Sequence, residues 1–239
     1  MAKPVGKVIA EPRISVNDLA LYMVSSDTAR LSIIKRSKYP QRPPMIRYSK
    51  IREPIKAFLS DPNRNGNPLD SAEQMLSQLA ADSSQKLLIR EDAKLSIEVL
   101  HALQGMGNKL ASLDFHAAPK KQDKLLISGV TVSAYADLVV HGKSKGQDQY
   151  GVAILRMTQD DAETDAAKSK RKEMGLYVAA IASLHAEQNI SSKRDPANRL
   201  SMSIDVQHGE AFAATNSNTR RIANIQSACT MISALWPST

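Results

Sequence analysis

From Leu110 onward the apolar residues of this chain change period, and that change limits what the protein can fold into. Up to there they recur at helical spacing. Beyond it, Ala111, Leu113, Phe115 and Ala117 fall on one face and Ser112, Asp114 and His116 on the other, the alternation of a half-buried strand. Val130, Val132, Ala134, Ala136, Leu138 and Val140 repeat the pattern within 125–141, read as one long strand or a bent pair. A loop over 142–149 leads to 150–157, apolar on both faces and so expected at the centre of a sheet. Helical spacing returns over 165–188, where Met174, Tyr177, Val178, Ile181 and Leu184 form one stripe. With a further strand over 200–206, the order predicts an α/β (α+β) protein with a central mixed sheet flanked by helices.

The flanks read as helical. Ser15 is placed to cap a helix bearing Leu19, Tyr22 and Met23, and Ser26 or Asp27 to cap a second with Leu31, Ile33 and Ile34. Pro40, Pro43 and Pro44 force an extended connection, since proline lacks the amide donor and restricts the residue before it. A third helix is expected from about Ser49, turning Ile51, Ile55, Phe58 and Leu59 inward. The run 61–68 is dense in turn formers and has no apolar side chain to bury, which divides the chain into a basic helical module (1–60), a linker (61–69) and an α/β domain (70–239). Asp70-Ser71-Ala72-Glu73 has capping-box spacing, a helix over 87–104 stops at Gly105 and Gly107, His208-Gly209 joins 200–206 to a strand over 211–214, and a last helix carries Ile222, Ile225, Cys229 and Ile232.

Several function classes lose support at this level. No apolar run approaches the roughly 20 residues that span a bilayer, and the first residues lack the apolar stretch of a secretory signal, so a cytoplasmic protein without a membrane partner is expected. Cys229, the only cysteine, lies among apolar residues and is expected to be a buried structural thiol. The five histidines are dispersed without zinc-site spacing, and GxSxG, Walker A and GxGxxG motifs are all missing.

The charge is uneven. Residues 1–60 hold twelve of the 32 Lys and Arg but only four of the 24 acids, so the whole net charge of +8 resides there. Concentrated in one quarter of the chain, it makes a local field that attracts polyanions. Arg30, Lys35, Arg36, Lys38, Arg42, Arg47, Lys50, Arg52 and Lys56 are the candidate phosphate contacts, with Tyr39 and Tyr48 as candidate stacking rings. Nucleic acid, DNA before RNA, is the expected partner. An acidic protein would answer the same field, and a homo-oligomer is compatible with either.

The order helix 87–104, strands 110–117, 125–141 and 150–157, helix 165–188 and strand 200–206 resembles the core of the PD-(D/E)xK nuclease superfamily, over about half the chain. The resemblance implies a metal-binding aspartate at Asp137, in Ala134-Tyr135-Ala136-Asp137, with a further carboxylate from Glu98 on the preceding helix. It also implies an acid-x-lysine on the third strand, and there the chain departs: Ile154-Leu155-Arg156 puts an apolar residue at the acid position and an arginine, which stays protonated, at the lysine position. Lys168, Lys170, Arg171 and Lys172 offer a relocated cation, and Asp160 or Asp161 a relocated acid. The implied function is a nucleic-acid-binding protein with a nuclease-like core and an incomplete metal site. The first alternative is a Mg²⁺- or Mn²⁺-dependent nuclease using Asp137, Glu98 and a cation from Arg156 or Lys168; the second is a non-enzymatic interaction subunit. The chain is also similar to uncharacterised bacterial proteins that share Ile14-Ser15, Leu19, Tyr22, Ala29-Arg30 and the closing Ala228-Cys229, Ile232, Leu235-Trp236-Pro237; that likeness implies no activity.

Overall fold

A computed structural model describes residues 8–41, 47–157 and 162–239. The protein is of the α+β class, with mixed sheets flanked by helices. The larger sheet runs β2 (Asp114–Ala117), β5 (Leu138–Ser144), β6 (Gln147–Arg156), β8 (Met202–Asp205), β9 (Glu210–Ala213), with the short β7 (Asp195–Pro196) beside β6. β2, β5 and β6 are antiparallel neighbours, whereas β8 lies parallel to β6 and is reached through the crossover helix α7 (Asp165–Asn189). A second sheet of three strands places β1 (Arg13–Ser15) parallel to β4 (Val130–Ser133), which pairs on its other side with β3 (Leu125–Ile127).

β6 is central because both of its faces are apolar. Tyr150, Val152 and Ile154 join one buried cluster, while Ala153 and Leu155 join the other. The first cluster lies between β6, α7, the small sheet and the helices α1 (Val16–Met23), α2 (Asp27–Lys38) and α8 (Thr219–Leu235). The second lies under α3 (Arg52–Ser60), α4 (Asn67–Ala81) and α5 (Leu87–Gly105). Each fully buried Val, Leu or Ile in these layers contributes roughly 1.5–3 kcal/mol. The described buried apolar side chains of 14–59 are divided between the two clusters: Leu19, Ile33 and Ile34 enter the first, Ile51, Ile55 and Leu59 the second.

Local chemistry explains the element boundaries. Ser15 caps α1, its Oγ accepting from Asp18 N at 3.1 Å. α4 starts at Asn67 with Pro68 in its first turn, ahead of the capping box expected at Asp70, because proline there gives up only an amide that has no helical partner. The expected strand over 110–117 is shorter, since a turn of helix, α6 (Gly107–Leu110), takes its first residue. The segment 125–141 is three strands rather than one or two. Ser128-Gly129 reverses it with φ of 44° and 81°. The expected loop over 142–149 is likewise a hairpin turning on Lys145-Gly146, φ 50° and 82°, the positive pair that two-residue hairpins demand.

Trp236, 2 % exposed, ties the far end of the sequence to the near one. Its Nε1 donates to the carbonyls of Ile9 and Ala10 at 3.2 and 3.0 Å, and Lys38 Nζ donates to the Trp236 carbonyl at 2.7 Å.

Candidate functional site

One end of the larger sheet gathers the polar groups. Asp137 immediately precedes β5, its amide donating to Ala153 O at 2.9 Å, and parallel pairing sets Arg156 directly beside Asp205 at the ends of β6 and β8. Asp137, Arg156 and Asp205 are all buried, so each charge there needs a partner.

Asp137 finds three donors. Arg52 at the start of α3 forks onto it, Nε to Oδ1 at 2.7 Å and Nη2 to Oδ2 at 2.8 Å, and Leu155 N donates to Oδ2 at 2.8 Å. Burial sets the Asp137 carboxyl above its ordinary pKa, against the pull of Arg52, the Leu155 amide and Lys56. Three of roughly four acceptor positions are thus used, which leaves little for a metal.

Arg156 and Asp205 form a looser pair, Nη1 to Oδ2 at 3.6 Å, with side chains 1 % and 0 % exposed. Among the described residues, Arg156 Nε and Nη1 and Asp205 Oδ2 have no hydrogen-bond partner. Burial lowers the Arg156 pKa, opposed by Asp205 and assisted by Arg171. Asp205 Oδ1 instead faces His208, whose Nδ1 lies 3.0 Å away and whose amide donates at 3.3 Å. That carboxylate fixes the orientation of the imidazole, and His208 opens onto a cavity of about 230 Å³ lined also by Tyr48, Leu95, Glu98, Val99, Glu163 and Gln207.

Lys168 pairs with Glu163 at 3.1 Å, and Arg171 approaches the other oxygen of Glu163 at 3.6 Å. Lys168 first, then Arg171 and His208, hold the Glu163 carboxyl below its ordinary value. Glu98 is therefore near Glu163 and His208 rather than bonded to Asp137. Tyr48, in the left-handed region at φ 58°, is kept there by its amide donating to buried Asp92 at 3.1 Å. No sequence motif marked Asp205, His208, Glu163 or Asp92; of the four only His208 figured in the sequence reading, as part of the His208-Gly209 turn.

Among the described residues, the donor set does not fit a catalytic Mg²⁺ or Mn²⁺. Such ions need one or two carboxylates free to ligate, with waters and substrate phosphates completing the shell. Here Asp137 is matched by Arg52, Asp205 by Arg156, and Glu163 by Lys168. Asp160 and Asp161 lie outside the described residues.

The basic residues of 30–56 divide in two. Arg30 bonds Tyr22 O, Met23 O and Asp27, Lys38 bonds Trp236 O and Pro237 O, and Lys56 bonds Glu53. These, with Arg52, serve the fold. Lys35 and Arg36 are exposed on α2, and they line a groove of about 570 Å³ with Asp18, to which Arg36 is bonded, Ser32, Tyr39, Pro40 and Gln41. Lys50 is exposed and Arg47 half-buried, while Arg42 lies outside the described residues. Tyr22 and Tyr48, at 6 % and 4 % exposure, are core rings, because helical spacing and the Asp92 contact turn them inward; Tyr39 is the half-buried ring beside the groove.

The fold and site define an α+β protein whose sheet-end carboxylates are neutralised by its own cations. Comparison with protein-family models and with curated proteins finds no match.

Proposed function

We propose that the protein binds nucleic acid, DNA before RNA, on a nuclease-like scaffold and does not cut it. The observation that carries the reading is the α2 groove, where Lys35, Arg36 and Tyr39 converge beside Ser32. Cations serve phosphates, a ring serves a base, and a hydroxyl serves either. With β3 and β4 drawn off into the small sheet, the remaining order α5, β2, β5, β6, α7, β8 supports the resemblance to the PD-(D/E)xK core, and the fork of Arg52 on Asp137 supports the loss of its metal chemistry. Arginine holds the charge that the metal of an active relative would hold.

Fluorescence anisotropy with labelled duplex and single strands tests this. Affinity is expected to fall linearly on a log–log plot against salt, with a slope near 0.9 per phosphate neutralised on a duplex. Absence of binding to every strand at low ionic strength would sink the reading. So would cleavage in Mg²⁺ or Mn²⁺ that Asp137→Asn abolishes, which favours a working nuclease. Recovery of an acidic protein that survives nuclease treatment, with no strand bound, would favour the interaction subunit.

A further inference from the structure

We propose that Asp114, His116 and His141 form a binding site for a divalent cation of the zinc class. The three come from neighbouring antiparallel strands. Asp114 on β2 pairs directly with His141 on β5, and His116 pairs with Val139, two residues along from His141 on the same face. One carboxylate oxygen and one ring nitrogen from each histidine all lie within 4.8 Å of one another. The histidine rings sit 4.0 Å apart between centroids, tilted by 35°, and His116 Nε2 is 3.0 Å from Asp114 Oδ1.

Ligands held 2.0–2.1 Å from a tetrahedral ion are about 3.3 Å apart. The His116–Asp114 pair, at 3.0 Å, is already near that spacing, and a His141 ring nitrogen lies within 4.8 Å of its two fellow ligand atoms. Phe115 and Val140, the pair between them in register, are buried in the second cluster and hold both strands rigid beneath the site. Two imidazoles and one carboxylate suit Zn²⁺, Co²⁺, Ni²⁺ or Cu²⁺ rather than Mg²⁺, which prefers oxygen. The two exposed residues, Asp114 and His116, leave the remaining coordination positions open to water.

Arg64, which donates to the Leu113 carbonyl at 2.9 Å, interacts with Asp114. Asp148 Oδ1 is shared by Lys143 at 3.6 Å and Arg194 at 3.3 Å. His141 is also four residues along β5 from Asp137, about 13 Å at strand rise, so this site is separate from the sheet-end carboxylates.

The test is Zn²⁺ titration of the chelator-treated full chain by calorimetry, with Co²⁺ absorption reporting nitrogen ligation. One equivalent is expected to bind, and His116→Ala, His141→Ala and Asp114→Ala each to weaken it by at least about tenfold. His101→Ala, which removes the separate His101–Glu73 pair, is expected to leave it unchanged. Because Asp114 and His116 are exposed, their variants keep the circular dichroism of the parent. Absence of Zn²⁺ binding, or affinity untouched by all three substitutions, would overturn the proposal.

Discussion

Arg52 and Asp137 stand 85 residues apart in sequence and meet as a two-armed ion pair, 2.7 and 2.8 Å, that pins the start of α3 to the start of β5. The aspartate is 6 % exposed and the arginine 43 %, so the attraction is partly screened and the carboxylate bears most of the cost when the pair breaks. Arg52→Met is expected to lose about 1–3 kcal/mol in urea denaturation, and the double variant with Asp137→Asn less than the sum, with coupling above about 1 kcal/mol. Strict additivity would show that the pair does not hold the fold. Burial already raises the Asp137 pKa and Arg52 is the strongest force lowering it. Without Arg52 the protonated carboxyl is favoured further, so the variant's deficit is expected to grow as pH rises through the raised value.

His185 sets a second pH dependence. It is 0 % exposed, with Nε2 2.8 Å from Gln122 Oε1 and Nδ1 3.1 Å from Asn189 Nδ2, and burial lowers its pKa to about 4. The unfolded chain takes up that proton near the ordinary 6.5. Its contribution is therefore complete above 6.5 and lost as pH falls towards 4, by about 3 kcal/mol. His185→Gln is expected to flatten the stability profile in that window; an unchanged profile would refute the assignment.

The α2 groove makes a separable forecast. Lys35→Glu is expected to weaken nucleic-acid binding for every sequence and to reduce the salt slope by about 1. Tyr39→Ala is expected to cost about 1–3 kcal/mol on single strands while leaving the slope alone. Equal slopes in Lys35→Glu and the parent would remove the groove from the interface.

Gly151 and Gly175 are places where another element comes too close for a side chain. A Cβ at Gly151 would stand 2.2 Å from the backbone carbon of Leu200, and one at Gly175 2.2 Å from Phe212 Cδ2. A ring swings aside and a backbone does not. Gly151→Ala is expected to destabilise by about 3 kcal/mol or more and Gly175→Ala by less, measured by thermal melting.

Cys229 is fully buried, and burial pushes its thiol up to about 12. Iodoacetamide is expected to label it only in denaturant, since the thiolate is the reactive form. Labelling of the native protein at a model-thiol rate would contradict its position on the buried face of α8.

Periodicity made much of this legible. The two-residue alternation of Val130, Val132, Ala134 and Ala136, the doubly apolar β6 and the stripe on α7 all reflect burial, which a single sequence records directly. Turn geometry was harder: Lys145-Gly146 lacks the asparagine or aspartate that usually precedes glycine in such hairpins, so a hairpin read as a loop. Partnerships across the fold left no local trace. Arg52 looked like a free cation, Tyr48 like a surface ring, and His116 and His141, 25 positions apart, like unrelated histidines, until strand register set them side by side.

The Trp236 indole bridges 227 positions to reach Ile9. At about 5–20 residues added per second, a ribosome has made Ile9 and Ala10 roughly 10–45 s before the tryptophan that clasps them exists. Residues 9 and 10 must wait through most of synthesis for their acceptors to be satisfied, so a nascent chain stalled short of α8 would leave that segment unlatched and open to proteases.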